Sequence, residues 1–225
     1  MKVVLLPGLD GTGILFKPFI DALPSEANIQ VISYPSATKL SYQELTELVL
    51  SQLPKKQFIL VGESFSGYIA YQVALCKPKN LKLVVFIATF LESPRPFLLV
   101  LSRLFPIRLI LSAPTPTYII KYFLFGLAAN RVIIELFRKS MNQVSPRILS
   151  FRLEEISKLQ NTYRHSEVKS IYIQATNDKL VPKKCVESFK QIFKNIKVFQ
   201  IEGSHFILQS NPVACAEVII TETDL

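Results

Sequence analysis

Ser64 lies in the run Gly62-Glu63-Ser64-Phe65-Ser66-Gly67, directly after the apolar residues Phe58–Val61 and directly before a helical pattern. A serine on a sharp strand-to-helix turn is lifted above the sheet, so its hydroxyl is presented to a substrate instead of being packed. The next backbone N–H, that of Phe65, then opens a helix and can receive an oxyanion. The usual form of such a turn is Gly-x-Ser-x-Gly, and Ser66 stands where the second glycine is expected. Taking Ser66 as the nucleophile fits worse, because Ser64 and Tyr68 would then fill both glycine positions. Without a base, the same letters describe only an ordinary strand-to-helix turn.

A hydroxyl is a poor nucleophile at neutral pH and needs a base that a third group orients. The chain has two histidines. His205, in Glu202-Gly203-Ser204-His205-Phe206, follows the last predicted strand directly and is the expected base; His165 has no such placement and is expected to be structural. Asp178, in the loop Thr176–Pro182 after the strand Ile171–Ala175, is the expected third member. The same aspartate also suits a turn or an N-cap before the helix from Lys183. Glu92, just after the fourth strand, is the reserve acid.

The loop Pro7-Gly8-Leu9-Asp10-Gly11-Thr12-Gly13 has room for a tight turn and for close approach of its backbone to a ligand. It lacks the lysine of a phosphate-binding loop and a full dinucleotide fingerprint. It is better suited to an oxyanion loop, with the Leu9 N–H pairing with that of Phe65. Asp10 is expected to cap the first helix, and Glu63 either to tune the charge beside the nucleophile or to bridge loops.

Such loops converge only if a frame delivers them to one edge. Short, near-continuous apolar runs at Val3–Leu6, Gln30–Ser33, Phe58–Val61, Leu83–Ala88, Ile171–Ala175 and Lys197–Ile201 read as strands covered on both faces. Helical patterns lie between them at Ile14–Ala22, Tyr42–Leu53, Ser66–Cys76 and Lys183–Phe193, with a last one at Pro212–Ile220. Ser41 and Glu44 have the spacing of a capping box. The alternation predicts an α/β fold, a doubly wound, mostly parallel six-stranded sheet with right-handed crossovers. Residues 1–91 and 166–225 are its expected core.

Residues 92–165 break the alternation. Helical spacing recurs at Phe97–Phe105, Thr117–Leu127 and Val132–Phe137, punctuated by prolines that include Pro106, Pro116 and Pro146. Roughly 70 residues is far longer than an ordinary loop. Placed after the fourth strand, at the ligand-binding edge of such sheets, the segment is expected to be a helical lid. Phe97, Leu101 and Phe123 are its candidate acyl-chain contacts, although residues that merely pack a lid would look the same. The segment holds eleven Lys/Arg against four acids, much of the chain's net charge of +9. That excess suits peripheral contact with an anionic membrane or a solvated basic face. No nucleic-acid-binding motif accompanies it.

With 225 residues, of which 49% are hydrophobic, the chain has ample material for a core, and no apolar stretch approaches the ~18 residues that span a bilayer. The apolar N-terminal run is short and broken by Pro7-Gly8, so it reads as a strand and not as a leader. Cys76, Cys185 and Cys215 lack metal-ligand spacing and are expected to be free thiols in a reducing cytoplasm.

The loop Pro7–Gly13 together with Gly62–Gly67 resembles the α/β-hydrolase superfamily over essentially the whole chain, being similar to bacterial hydrolases and to plant plastid esterase/acyltransferases. The chain order Ser64, Asp178, His205 is that superfamily's order. The resemblance implies a triad of those three residues, an oxyanion hole at Leu9 and Phe65, and neither metal nor cofactor. It further implies a core lacking the first two strands of longer relatives, with sheet order 2-1-3-4-5-6. The expected activity is cleavage of a carboxyl ester, a lipophilic acyl ester or thioester, through an acyl-enzyme on Ser64. An acyltransferase using the same intermediate and a non-catalytic ligand-binding protein are the alternatives.

Overall fold

Side chains alternate across a strand, so a run that is apolar at every position must be covered on both faces. The computed structural model, which describes residues 1–94, 117–126, 129–160 and 164–223, has that arrangement. Strands β1 (Lys2–Leu6), β2 (Asn28–Val31), β3 (Phe58–Glu63), β4 (Leu81–Ile87), β5 (Ser170–Ala175) and β6 (Lys197–Ile201) form one sheet in the order β2-β1-β3-β4-β5-β6. The order is the one that the family resemblance implies, and every neighbouring pair runs parallel, as the strand–helix alternation predicts.

Helices α1 (Lys17–Ala22), α2 (Tyr42–Gln52) and α3 (Ser66–Leu75) follow the first three strands. Val3, Leu5, Ile59, Val61, Val85, Ile87, Ile171 and Ile173 face one core layer, where they meet Phe19 of α1. The intervening Val4, Leu6, Phe58, Leu60, Val84, Phe86 and Tyr172 face the other, with Leu45 and Val49 of α2 and Ile69 of α3. The capping box forms as its spacing predicts: Glu44 N–H donates to Ser41 Oγ at 3.3 Å and Ser41 N–H to Glu44 Oε2 at 2.7 Å.

Two boundaries move for identifiable reasons. Strand β2 begins at Asn28, opposite Lys2, and ends at Val31 instead of running over Gln30–Ser33. Beyond it the chain leaves the ladder for the first loop, with Ser33 Oγ donating to the Thr12 carbonyl and Tyr34 N–H to the Gly11 carbonyl. The first predicted helix divides into a 3-10 turn (Ile14–Phe16) followed by α1, with Pro18 in the first turn of α1.

Between β4 and β5 the described regular elements are helices, with an isolated bridge of Ser166 to Phe193 besides. A short helix α4 (Thr117–Ile120) runs into a π-helical turn, Lys121–Phe125. Helix α5 (Arg131–Asn142) extends beyond the predicted Val132–Phe137 at both ends, and Asn130 caps it by accepting from Ile133 N–H. Helix α6 (Pro146–Lys158) lies outside the spans that the apolar spacing marks as helical. Pro146, expected to interrupt, occupies the first helical turn behind the N-cap Ser145, where its missing N–H costs nothing. The apolar spacing of α6 is disguised because Arg152 and Glu155 share its buried face with Ile148, Leu149 and Ile156. Together these helices form a third cluster, in which Phe125, Ile134, Phe137 and Leu149 pack over Leu15. The expected helix Phe97–Phe105 and the candidates Phe97 and Leu101 lie outside the described residues, as does the Phe123 side chain.

The chain closes with α7 (Cys185–Ile192), a short α8 (Ile207–Ser210) and α9 (Pro212–Thr223). All three cysteines are free, and among the described residues no helix is long and apolar enough to cross a membrane. Phe189 of α7 anchors one core layer, its ring centroid 4.6 Å from that of Phe86 and 5.0 Å from that of Tyr172. Phe189→Ala is expected to lower the unfolding free energy by about 3–5 kcal/mol in urea titrations; a loss well under 1 kcal/mol would show that this contact does not anchor the helix.

Candidate active site

The parallel sheet delivers the carboxyl ends of β1, β3, β5 and β6 to one rim; Leu9 follows β1, Ser64 and Phe65 follow β3, Asp178 follows β5 and His205 follows β6. Ser64, one residue beyond β3, has φ +49°, a left-handed conformation that an L-residue adopts at a cost on the order of 1–2 kcal/mol. Its neighbours hold it there. Ser64 N–H donates to the Ile87 carbonyl at 2.9 Å, and the Ser64 carbonyl accepts from Gly67 N–H and from the Thr89 hydroxyl. A Cβ on Gly67 would lie 1.9 Å from Thr89 Oγ1, so position 67 must be glycine for that brace to form. A Cβ on Gly62 would meet Ala70 Cβ at 2.8 Å, so Gly62 lets α3 sit close against β3.

Ser66, the departure from the usual motif, is fully buried and has its own partners. Its hydroxyl donates to the Pro7 carbonyl and accepts from the Tyr34 hydroxyl, tying the serine turn to the first loop. Nothing in the letters of the motif points to this tie, because Tyr34 arrives from the far side of β2.

Ser64 Oγ lies 2.8 Å from His205 Nε2, and His205 Nδ1 lies 2.8 Å from Asp178 Oδ2. Asp178 is oriented in turn by Leu180 and Val181, whose N–H groups both donate to Oδ1 at 2.8 Å. The acid and histidine loops are joined by Asn177 N–H donating to the Gly203 carbonyl at 2.9 Å. The structure therefore brings all three residues together. It leaves the other candidates elsewhere: His165 is exposed, and Glu92 accepts from Ser188 Oγ.

Burial alone would push the His205 imidazolium down, but the Asp178 carboxylate in contact with it, helped by Glu63, holds its pKa above the ordinary histidine value. Burial pushes the Glu63 carboxyl up to about 7, although Gln209 Nε2 donates to its Oε1 at 3.0 Å and pulls it partway back. Glu63 thus bridges from the end of β3 to Gln209 on α8, and its charge acts on His205. Asp10 corrects its expectation. It does not cap the first helix; its Oδ2 accepts from the Thr12 N–H and hydroxyl and from Ser140 Oγ of α5 at 2.6 Å. That engagement also occupies the Ser140 hydroxyl, leaving Ser64 as the hydroxyl at the imidazole.

The first loop packs against the serine, with a Cβ built on Gly8 3.9 Å from Ser64 Cβ. The Gly8 carbonyl accepts from Gly11 N–H, so the trans Gly8–Leu9 peptide turns the Leu9 N–H the opposite way. Among the described residues no carbonyl or side chain accepts from the amides of Leu9 or Phe65. The cavity over Ser64 and His205 is bounded by Gly8, Leu9, Asp10 and Glu63, and by the apolar side chains of Leu124, Phe137, Met141 and Phe206. Among the described residues no group of His, Cys, Asp and Glu is arranged to hold a metal ion.

A parallel α/β sheet with a serine–histidine–aspartate chain on its carboxyl rim defines a serine-hydrolase-type protein. The model of the alpha/beta hydrolase family matches residues 3–218, and the chain belongs to that family. It is 29% identical over 123 residues to a chloroplastic phytyl ester synthase of Arabidopsis thaliana, a match covering 50% of this chain and 17% of that protein. It is 27% identical over 93 residues to a pimeloyl-[acyl-carrier protein] methyl ester esterase of Proteus mirabilis, covering 39% and 36% respectively. The chain thus spans well under two thirds of these curated relatives. A hydrolase structure from Oleispira antarctica shares the fold, with a TM-score of 0.81 at 13% identity, over 99% of this chain and 90% of that one.

The Glu63 carboxyl holds its proton more tightly when folded, so its contribution to stability is full below about 4.5 and is lost as pH rises to about 7. Full loss corresponds to roughly 3 kcal/mol at one pKa unit per 1.4 kcal/mol. Glu63→Gln is therefore expected to show a smaller fall in Tm between pH 5 and pH 8 than the wild type. Equal falls would rule Glu63 out as the titrating group.

Proposed function

We propose that this protein is a serine esterase acting on lipophilic carboxyl esters or thioesters, with residues 92–165 serving as a lid over the site. The observation that carries the reading is the unbroken chain from Ser64 Oγ through His205 to Asp178, with 2.8 Å at each contact. In this reading His205 Nε2 takes the Ser64 proton as Oγ attacks the substrate carbonyl. Asp178 holds the proton on Nδ1 and stabilises the imidazolium. The amides of Leu9 and Phe65 receive the oxyanion. As the tetrahedral species collapses, the leaving alcohol takes the proton from Nε2 and the acyl group stays on Ser64. Water then repeats the sequence, its proton passing to His205 as the carboxylic acid departs and Oγ is restored.

Leu124, Phe137, Met141 and Phe206 support a lipophilic acyl group, since they line the cavity beside Ser64. The names of the two curated relatives, an esterase and an ester synthase, support ester chemistry. The synthase also favours a second reading, in which an alcohol replaces water as acceptor.

Ser64→Ala is expected to lower turnover of p-nitrophenyl butyrate by roughly a thousand- to a million-fold, and to abolish labelling by a fluorophosphonate probe. Wild-type hydrolysis by that variant would sink the mechanism. Across p-nitrophenyl esters from acetyl to palmitoyl, kcat/KM is expected to rise beyond acetyl, whereas a sharp optimum at acetyl contradicts an acyl groove. Competing water with a fatty alcohol separates the two readings: free acid as the main product identifies the esterase, and fatty ester the transferase.

A further inference from the structure

Arg152, on α6 of the inserted segment, is 2% exposed, yet among the described residues no carboxylate lies within ion-pair distance of it. A buried cation is costly unless its N–H groups are satisfied. Here backbone carbonyls satisfy them. Nη1 donates to the carbonyls of Leu9 and Asp10 at 2.8 Å each, and Nη2 to that of Pro35 at 3.0 Å. The guanidinium carbon sits 5.6 Å from the Tyr34 ring centroid. A Cβ on Gly11 would come within 2.5 Å of Nη1, so the loop is shaped around the guanidinium.

The contacts fall on successive peptides of one loop. Ser66 holds the Pro7 carbonyl, Gly11 N–H holds that of Gly8, and Arg152 holds those of Leu9 and Asp10. With the flanking peptides held from both sides, the Gly8–Leu9 peptide cannot rotate alone, and the direction of the Leu9 N–H is set. Lysine cannot reproduce this, because its ammonium lacks the planar fork that reaches three carbonyls at once.

We propose that Arg152 is a positioning residue for the reaction: by gripping the Leu9 and Asp10 carbonyls it aims the Leu9 N–H at the oxyanion, which makes the inserted segment part of the catalytic machinery as well as a cover. The proposal rests on the serine-esterase reading above. It differs from a purely structural role because it acts on the transition state, where the oxyanion exists, and hardly on substrate binding.

The test compares wild type with Arg152→Lys and Arg152→Ala, each checked by circular dichroism. The readouts are kcat and KM on p-nitrophenyl butyrate, inhibition by an aryl trifluoromethyl ketone, and Tm. The ketone forms a hemiketal on Ser64 whose oxygen needs the same two amides. Expected is a fall in kcat of roughly 10- to 100-fold in both variants, less than the 10²–10³ for outright loss of an oxyanion donor. KM should stay within about threefold, and ketone affinity should weaken in step with kcat/KM. Millimolar methylguanidine should restore part of the kcat of Arg152→Ala. Variants that melt lower but keep wild-type kcat and ketone affinity would reduce Arg152 to a brace and overturn the proposal. Should Arg152→Ala not fold, the same comparison stands on Arg152→Lys. Ser64→Ala, run in parallel, separates the two levels: if it stays active the esterase reading itself fails, and if it is dead while Arg152→Lys is normal only this inference falls.

Discussion

Ser64 holds a backbone conformation that its side chain disfavours, and much of the surrounding structure is arranged to keep it there. The strain is small beside the stability of a domain, but it has to be met locally by groups with no freedom to relax. Thr89 supplies a hydroxyl to the Ser64 carbonyl, Ile87 accepts its amide, and Gly67 leaves the space that Thr89 needs. Gly62 lets α3 close against β3 so that the turn is short. In this conformation Ser64 Oγ lies 2.8 Å from Nε2 of the imidazole that follows β6.

The same economy extends to the first loop. Its carbonyls are held by side chains from three distant places: Ser66 beside the nucleophile, Tyr34 through Ser66, and Arg152 in the inserted segment. Asp10 adds a link to Ser140 on α5. These contacts join the loop, the serine turn and the insertion into one polar network laid over two apolar layers. A network of this kind stabilises little net, since each bond replaces one to water. Its physical value is directional, because hydrogen bonds fix the orientation of peptides in a way that apolar packing does not.

Charge around the imidazole follows the same logic. His205 is buried, which opposes its cation, and Asp178 and Glu63 offset that opposition. An imidazolium at this position therefore meets carboxylates already placed to stabilise it, with little reorganisation needed. Asp178 can serve because both of its oxygens are committed, one to the imidazole and one to the amides of Leu180 and Val181.

The alternation of strands and helices, the turn at Ser64, the capping box at Ser41 and the positions of Asp178 and His205 just past their strands were all legible in the linear chain. Each is a local pattern: a period, a spacing, or a residue beside the end of a run. The sequence also implied that the loops share an edge, because parallel strands send all their carboxyl ends the same way. What only the tertiary structure decided depends on partners far apart in the chain. Helix α6 escaped notice because Arg152 and Glu155 lie on its buried face, and a charge on that face reads as solvent-facing until its acceptors are known. Asp10 looked like a helix cap until Ser140, 130 residues away, claimed its carboxylate. Ser66 looked like a flaw in a motif until Pro7 and Tyr34 came within reach of its hydroxyl. Hydrophobic periodicity is written residue by residue, whereas the worth of a buried polar group is set by whatever the fold brings against it.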